Sequence, residues 1–219
     1  MSALFQATEP PRLDIGDVHA QWLTEYGESW ARRNPKTAPE LDAVYMQNFR
    51  QTRTALTERF LAGVPRDARV LEVGCAAGAQ LDVLARLGFS DLTGCDLSPD
   101  AIRDCPFPAL PADATALPFA DRAFDLVFTS GTLMHIPPFT RLRAIREVLR
   151  VARRWVWGFE PYSATPQTAF FGGLIPPAWP ADFVALYRSE EPGLRVVREE
   201  VCRQPGRDMV YRMFLLARC

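Results

Sequence analysis

Apolar and polar positions change rhythm near residue 69. Before it, two stretches carry helical spacing, roughly Asp17–Arg33 and Glu40–Ala62, and the prolines of Asn34-Pro35-Lys36-Thr37-Ala38-Pro39 disfavour one helix across both. From Arg69 short apolar runs alternate with helical patterns. Val70–Val73 reads as a strand, Gln80–Leu87 as a helix, Leu92–Cys95 as a strand, and a short helix is expected near Ala101. Phe124–Thr129 is a further strand. Pro137-Pro138 then opens a helix with Leu142, Ile145, Val148, Leu149 and Ala152 on its apolar face and Arg141, Arg143, Arg146 and Arg150 on its solvated side. Trp155–Phe159 is the next strand, with Trp155 and Trp157 assigned to sheet packing. Pro161–Pro180 is too irregular for a regular element and follows a strand, where substrate loops belong. Leu194–Cys202 and Met209–Ala217 read as a hairpin joined by Gln204-Pro205-Gly206-Arg207. Such alternation builds a mostly parallel sheet covered on both faces by helices. The expected organisation is one α/β domain, with residues 1–66 as an N-terminal helical cap or lid and 67–219 as the core.

Composition supports a single domain, since 219 residues at 48% apolar content suffice for one sizeable core. Twenty-five basic residues against twenty-six acidic ones create no field that gathers nucleic acid or an anionic membrane, so neither partner is expected. Met1–Asp17 lacks a basic region followed by an apolar stretch, and nowhere do eighteen apolar residues run together, which points to the cytoplasm. The cysteines Cys75, Cys95, Cys105, Cys202 and Cys219 form no C-x-x-C pair and read as reduced thiols; with only His19 and His135 besides, no metal site is expected.

Three acids mark successive strand ends. Val70-Leu71-Glu72-Val73-Gly74-Cys75-Ala76-Ala77-Gly78 is a buried strand carrying an acid, then a turn of small residues leading into a helix, whose free N–H groups suit a carboxylate. A ligand-free strand-turn-helix junction would look similar. A dinucleotide fingerprint requires G-x-G-x-x-G, but positions 74, 76 and 79 are Gly, Ala and Ala, which disfavours a nicotinamide-dependent oxidoreductase. Asp96 ends Leu92-Thr93-Gly94-Cys95-Asp96 and is placed to accept from ribose hydroxyls, or else to cap the next turn. Asp113 in Ala112-Asp113-Ala114 is placed to accept from an adenine amine, with the Ala114 N–H facing a ring nitrogen, or else is a plain turn aspartate.

Together with Leu117-Pro118-Phe119 and Phe124-Asp125-Leu126-Val127-Phe128-Thr129-Ser130-Gly131, these segments resemble class I S-adenosylmethionine-dependent methyltransferases. The resemblance implies a Rossmann-like, seven-stranded, mostly parallel sheet with its last strand antiparallel, and S-adenosylmethionine as cofactor. It implies cofactor contacts from Glu72, Gly74, Cys75, Ala76, Gly78 and Gln80, from Asp96, Leu97 and Ser98, from Asp113 and Ala114, and from Thr129 and Ser130. Ala76 replaces the family's usual middle glycine, which should crowd the turn slightly. A narrower resemblance, to methylases associated with pseudaminic acid biosynthesis, rests on Trp22 to Asn34, on Phe128 to Ile136 and on Glu160-Pro161-Tyr162-Ser163-Ala164-Thr165-Pro166. It implies a small polar acceptor. Where that family shows Tyr-Arg-Gly this chain has Phe170-Phe171-Gly172, and where it shows a basic pair before Asp-Phe this chain has Pro180-Ala181, so an anionic sugar acid is disfavoured and a secondary-metabolite intermediate gains ground.

Methyl transfer from a sulfonium needs alignment of the nucleophile and exclusion of water, worth about 7–11 kcal/mol in favourable models. His135 is the expected base and substrate contact, and Glu160 the second catalytic candidate, orienting or deprotonating an amine or hydroxyl. Trp22, Tyr26 and Trp30 form an aromatic stripe that reads either as core or as a lid over the acceptor. Asn34, Tyr162 and Phe171 complete the expected acceptor contacts. A catalytically idle cofactor-binding subunit or sensor is the alternative function, and a monomer or homodimer is the expected state.

Overall fold

The computed structural model describes residues 20–24, 27, 29, 32–165, 168, 178–206 and 208–218. About half of the expected helix over Asp17–Arg33 and much of Pro161–Pro180 lie outside these residues, as do Tyr26, Trp30 and Phe171. Seven strands form one sheet: β1 (Arg69–Val73), β2 (Asp91–Asp96), β3 (Ala109–Pro111), β4 (Phe124–Ser130), β5 (Ala152–Pro161), β6 (Arg195–Arg203) and β7 (Val210–Ala217). Their order is β3-β2-β1-β4-β5-β7-β6. Pairing is parallel from β3 through β5, and β7 runs antiparallel to both β5 and β6. This is the expected seven-stranded, mostly parallel sheet.

Strand periodicity sorts side chains between two apolar layers. Val70, Leu126, Phe128, Trp155 and Trp157 pack into one cluster with Tyr45 of α1 (Ala38–Phe49), Leu56 and Phe60 of α2 (Arg53–Phe60) and Leu81 and Leu84 of α3 (Ala79–Arg86). Leu71, Val73, Val127, Val156 and Phe214 face the other way, against Ile145 and Val148 of α4 (Pro138–Val151) and Tyr187 of α5 (Phe183–Glu190). Each fully buried Leu, Val or Phe contributes about 1.5–3 kcal/mol, so helix placement follows from which strand positions are apolar.

The expected helix over Glu40–Ala62 is two helices. Arg50 adopts left-handed backbone (φ 60°) and donates its N–H to the Met46 carbonyl, ending α1. Thr52 then caps α2 by accepting from the Ala55 N–H, while Asp42 on α1 accepts from the Thr54 N–H at 2.8 Å and from the Thr54 hydroxyl at 2.7 Å. Asp42 therefore fixes the angle between the helices that wall the site. Near Ala101 there is no helix but a run of turns, because Ser98 takes the Ala101 N–H and Pro106 closes the segment after Cys105.

Two arginines on α4 do not lie on a solvated side. Arg141 is buried, donating to the carbonyls of Ile136 and Trp179, and desolvation lowers it to about 10. Arg150 bonds the carbonyls of Leu117 and Phe119 and the carboxylates of Glu147 and Asp121. Both satisfy loop carbonyls that the strand-to-helix connections leave open, a demand invisible to charge periodicity. Helix α5 was not foreseen; Asp182 caps it by accepting from the Ala185 N–H at 3.0 Å.

Asp42→Ala should cost about 1 kcal/mol, within the range for a lost helix cap. Urea denaturation measures it, and an unchanged midpoint would contradict the role of Asp42 in setting the corner.

Candidate functional site

A cavity of about 450 Å³ opens along the C-terminal ends of β1 to β4, with α1 as one wall. Its floor is the turn after β1. Gly74 (φ 79°) and Gly78 (φ 83°) are left-handed, and a Cβ on Gly74 would lie 2.3 Å from the Thr132 hydroxyl oxygen. Ala76 is also left-handed (φ 45°), a conformation that costs a non-glycine residue about 1–2 kcal/mol. Its N–H donates to Asp96 Oδ2 at 3.0 Å, while Asp96 Oδ1 accepts from the Ser98 N–H at 3.0 Å. One carboxylate thus ties the turn after β1 to the turn after β2. Two oxygens offer about four lone-pair sites, so Asp96 retains capacity for further donors.

Next to that turn lie acceptors without donors. Glu72 and Gln80 line the cavity and are buried, and among the described residues neither Glu72 Oε2 nor Gln80 Oε1 has a hydrogen-bond partner; Gln80 Nε2 donates to the Thr57 hydroxyl. Burial pushes the Glu72 carboxyl well above its ordinary range, with the Arg53 guanidinium acting in opposition. Burial also raises Asp96, against the backbone N–H groups of Ser98, Ala76 and Leu97. A cationic donor entering this end would relieve both.

Of the expected cofactor residues, Glu72, Gly74, Cys75, Ala76, Gln80, Asp96, Leu97, Ser98, Asp113, Ala114 and Ser130 line this cavity together. Asp113 also fulfils its alternative reading, because its Oδ1 accepts from both the N–H and the hydroxyl of Thr115. Gly78 stands behind the lining as the N-cap of α3, its Cα against the Cys105 thiol. Thr129 is fully buried and does not line the cavity, because β4 alternation turns Ser130 toward it and Thr129 toward the α4–α5 layer.

Among the expected catalytic and acceptor residues, His135, Trp22 and Asn34 line the cavity, and the Trp22 ring meets the His135 ring edge-on at 4.9 Å. Glu160 does not line it. Its buried carboxylate accepts the N–H groups of Thr132 (3.1 Å), Leu133 (3.2 Å) and Met134 (3.4 Å), anchoring the 3-10 turn Leu133–His135 that carries the histidine. Tyr162 is likewise outside the lining, beneath the Arg212 guanidinium at 3.6 Å.

The sequence reading missed an entire wall. Leu41, Val44, Tyr45, Asn48 and Phe49 of α1 line the cavity, as do Phe159, Gln204 and Tyr211. The α1 residues fall at i, i+3, i+4, i+7 and i+8, a visible stripe that reads as ordinary core unless the helix is known to cross the strand ends. Behind this wall is Arg53, fully buried, donating to the Tyr45 hydroxyl at 2.8 Å and lying within 4.8–5.1 Å of the Tyr45, Trp157 and Phe159 ring centres. Burial raises the Tyr45 hydroxyl, and Arg53 opposes that shift.

Residues 71–155 match the methyltransferase-domain family. No curated protein matches the chain in sequence. Among solved structures, the magnesium protoporphyrin IX methyltransferase of Synechocystis PCC 6803 with bound S-adenosylhomocysteine is 17% identical, with a TM-score of 0.64 over 93% of this chain and 99% of its own. The [4+2]-cyclase SpnF is 16% identical, with a TM-score of 0.64 over 83% of this chain and 96% of its own. The PH0226 protein of Pyrococcus horikoshii OT3 is 15% identical, also at 0.64, over 87% and 99%. The fold is accordingly the Rossmann-like class I methyltransferase fold. Among the described residues no helix is long and apolar enough to cross a membrane.

A carboxyl whose folded pKa lies above its unfolded value favours folding at low pH and loses that contribution as pH rises through the folded pKa. Glu72 is such a group. Glu72→Gln, an isostere of the protonated acid, should match the parent near the unfolded value of about pH 4.3 and become progressively more stable than it at higher pH. Thermal melts of both proteins from pH 4 to 9 decide this; a constant difference would contradict the buried, ligand-seeking carboxylate.

Proposed function

We propose that this chain is an S-adenosylmethionine-dependent methyltransferase acting on an amine or hydroxyl of a small molecule. The observation that carries the reading is the set of acceptors along the strand tips: the half-buried Asp96 and Asp113, and the buried Glu72 Oε2 and Gln80 Oε1, which have no hydrogen-bond partner among the described residues, beside a left-handed glycine turn. S-adenosylmethionine fits this set because its ribose hydroxyls and its ammonium are donors. Asp96 takes the ribose, Asp113 and Ala114 face the adenine, and Glu72 and Gln80 receive the ammonium end. The residues fit a dinucleotide poorly, since Ala76 and Ala79 stand where its pyrophosphate loop needs glycine.

When bound, the cofactor supplies an activated methyl group with its leaving group attached. The chain then has to position the acceptor, exclude water and take one proton. His135 lines the cavity at the end of a turn whose backbone is pinned by Glu160, and an imidazole accepts protons near neutral pH. Glu160 acts here by holding that turn, without meeting the acceptor. Trp22 packs against the imidazole and, with Asn34, lines the cavity from the N-terminal side.

The kinship with pseudaminic-acid-associated methylases is supported by Trp22, Asn34 and His135 reaching one cavity from two of its three sequence segments. The acceptor belongs to natural-product tailoring in preference to sugar acids, and the protein acts in the cytoplasm. A second reading, a catalytically idle S-adenosylmethionine-binding subunit or sensor, draws on the [4+2]-cyclase SpnF, whose similar fold carries an activity other than methyl transfer.

Asp96→Ala should weaken S-adenosylhomocysteine binding by about 1–3 kcal/mol in calorimetry. His135→Ala should leave that affinity within about twofold and lower turnover by about 10²–10⁴. Unchanged affinity in the first variant would remove Asp96 from the ribose site, and unchanged turnover in the second would make His135 structural.

A further inference from the structure

The four rings opposite the strand tips form a contiguous surface. Phe159 and Tyr211 stack with centres 5.2 Å apart at 11°, Phe49 stands edge-on to both at 5.5 and 5.4 Å, and Tyr45 closes the group at 5.2 Å from Phe49 and 5.3 Å from Phe159. All four line the cavity. Because each ring braces two others, the wall is rigid before any ligand arrives, which lowers the ordering cost of binding a flat partner.

Charge narrows the partner further. Among the described residues the lining contains no lysine or arginine, and its acids, Glu72, Asp96 and Asp113, all sit at the strand tips. An anionic acceptor on the aromatic wall would find no ion-pairing side chain among the described lining residues, and Arg53, which lies outside that lining, offers it charge without a direct hydrogen bond. Aromatic walls commonly hold cations, but here the place of the cation is already taken from behind: Arg53 is fully buried against Tyr45 and Phe159, at 5.1 and 4.8 Å from their centres. A second positive charge on this wall would be repelled by the buried Arg53 guanidinium, which already lies 4.8–5.1 Å from the Phe159 and Tyr45 ring centres. A polyhydroxylated acceptor fares little better, because the wall is made of ring faces whose own polar atoms are the Tyr45 and Tyr211 hydroxyls, the first already engaged by Arg53.

We infer that the acceptor is a neutral, planar aromatic molecule that lies on the Tyr45–Phe49–Phe159–Tyr211 wall, its polar substituent met by Asn48, Gln204 or Ser130. This rests on the methyltransferase reading and names the substrate class of the same site. His135 is compatible with it, since a phenol ionises near pH 10, like tyrosine, within reach of an imidazole base.

Three probes sharing one ring system test the charge argument: 2-naphthol, 2-naphthoate and protonated 2-(aminomethyl)naphthalene, each titrated by fluorescence into protein saturated with S-adenosylhomocysteine. The expected result is that 2-naphthol binds at least tenfold more tightly than either charged probe, and that methyl glucoside does not displace it. Phe49→Ala and Tyr211→Ala should each weaken 2-naphthol binding about tenfold with S-adenosylhomocysteine affinity within twofold of the parent. Equal or tighter binding of a charged probe, displacement by methyl glucoside, absence of 2-naphthol binding, or indifference to both wall variants would overturn the inference. Failure of S-adenosylhomocysteine to bind the parent protein would instead sink the methyltransferase reading, while 2-naphthol binding to the unliganded protein that is lost in Phe49→Ala would sustain the aromatic site alone.

Discussion

The carboxylate of Asp96 is the tie on which the rest of the site depends. Strands β1 and β2 are parallel neighbours, with Val73 beside Cys95, so their chains leave the sheet side by side and must both turn sharply. The Cys95 carbonyl receives the N–H groups of Gly74 and Cys75 at 2.7 and 3.0 Å, and Asp96 then receives those of Ala76 and Ser98. Four backbone donors that would otherwise lack partners are thereby satisfied within one residue pair. The left-handed backbone at Gly74 and Ala76 is held by these bonds, that at Gly78 by its own N–H to the Cys75 carbonyl, and the cavity floor takes its shape from them.

That arrangement has an electrostatic consequence. Glu72, Asp96 and Glu160 are all acids raised by burial, but they are settled differently. Glu160 is answered by three backbone N–H groups of the turn before α4, and Asp96 by those of Ala76 and Ser98, aided by Leu97, with capacity left over. Among the described residues Glu72 keeps one oxygen without a donor, and the charge that opposes its shift is the buried Arg53. Such unfinished polar groups lower the stability of the free protein and are characteristic of places built to receive a ligand. Arg53 links the two halves of the cavity, since the guanidinium that tempers Glu72 on the cofactor side also backs the aromatic wall on the other.

What could be read from residues alone was the local grammar. Strand β1, the small-residue turn, Asp96 and Asp113 each carry their signal within a few neighbouring positions, and the hairpin of β6 and β7 declares itself through Gln204-Pro205-Gly206-Arg207. Features set by distant contacts were not legible. The α1–α2 corner depends on Asp42 reaching Thr54, Arg141 is buried because two loop carbonyls need a donor, and the Tyr45 and Phe49 stripe becomes a binding wall only when α1 meets Phe159 and Tyr211. Glu160 carries a strand-end signal, but which groups it meets is set by alternation along β5, which sends it to the face opposite Phe159 and onto the backbone of Thr132–Met134.

The central claim, that these strand tips grip an adenosine while the glycine turn takes its amino-acid end, is tested most directly by a crystal structure with S-adenosylhomocysteine. The account predicts ribose hydroxyls on Asp96, adenine beside Asp113 and Ala114, and the ammonium near Glu72 and Gln80. A ligand lying elsewhere, or a cavity that stays vacant at saturating concentration, would contradict it.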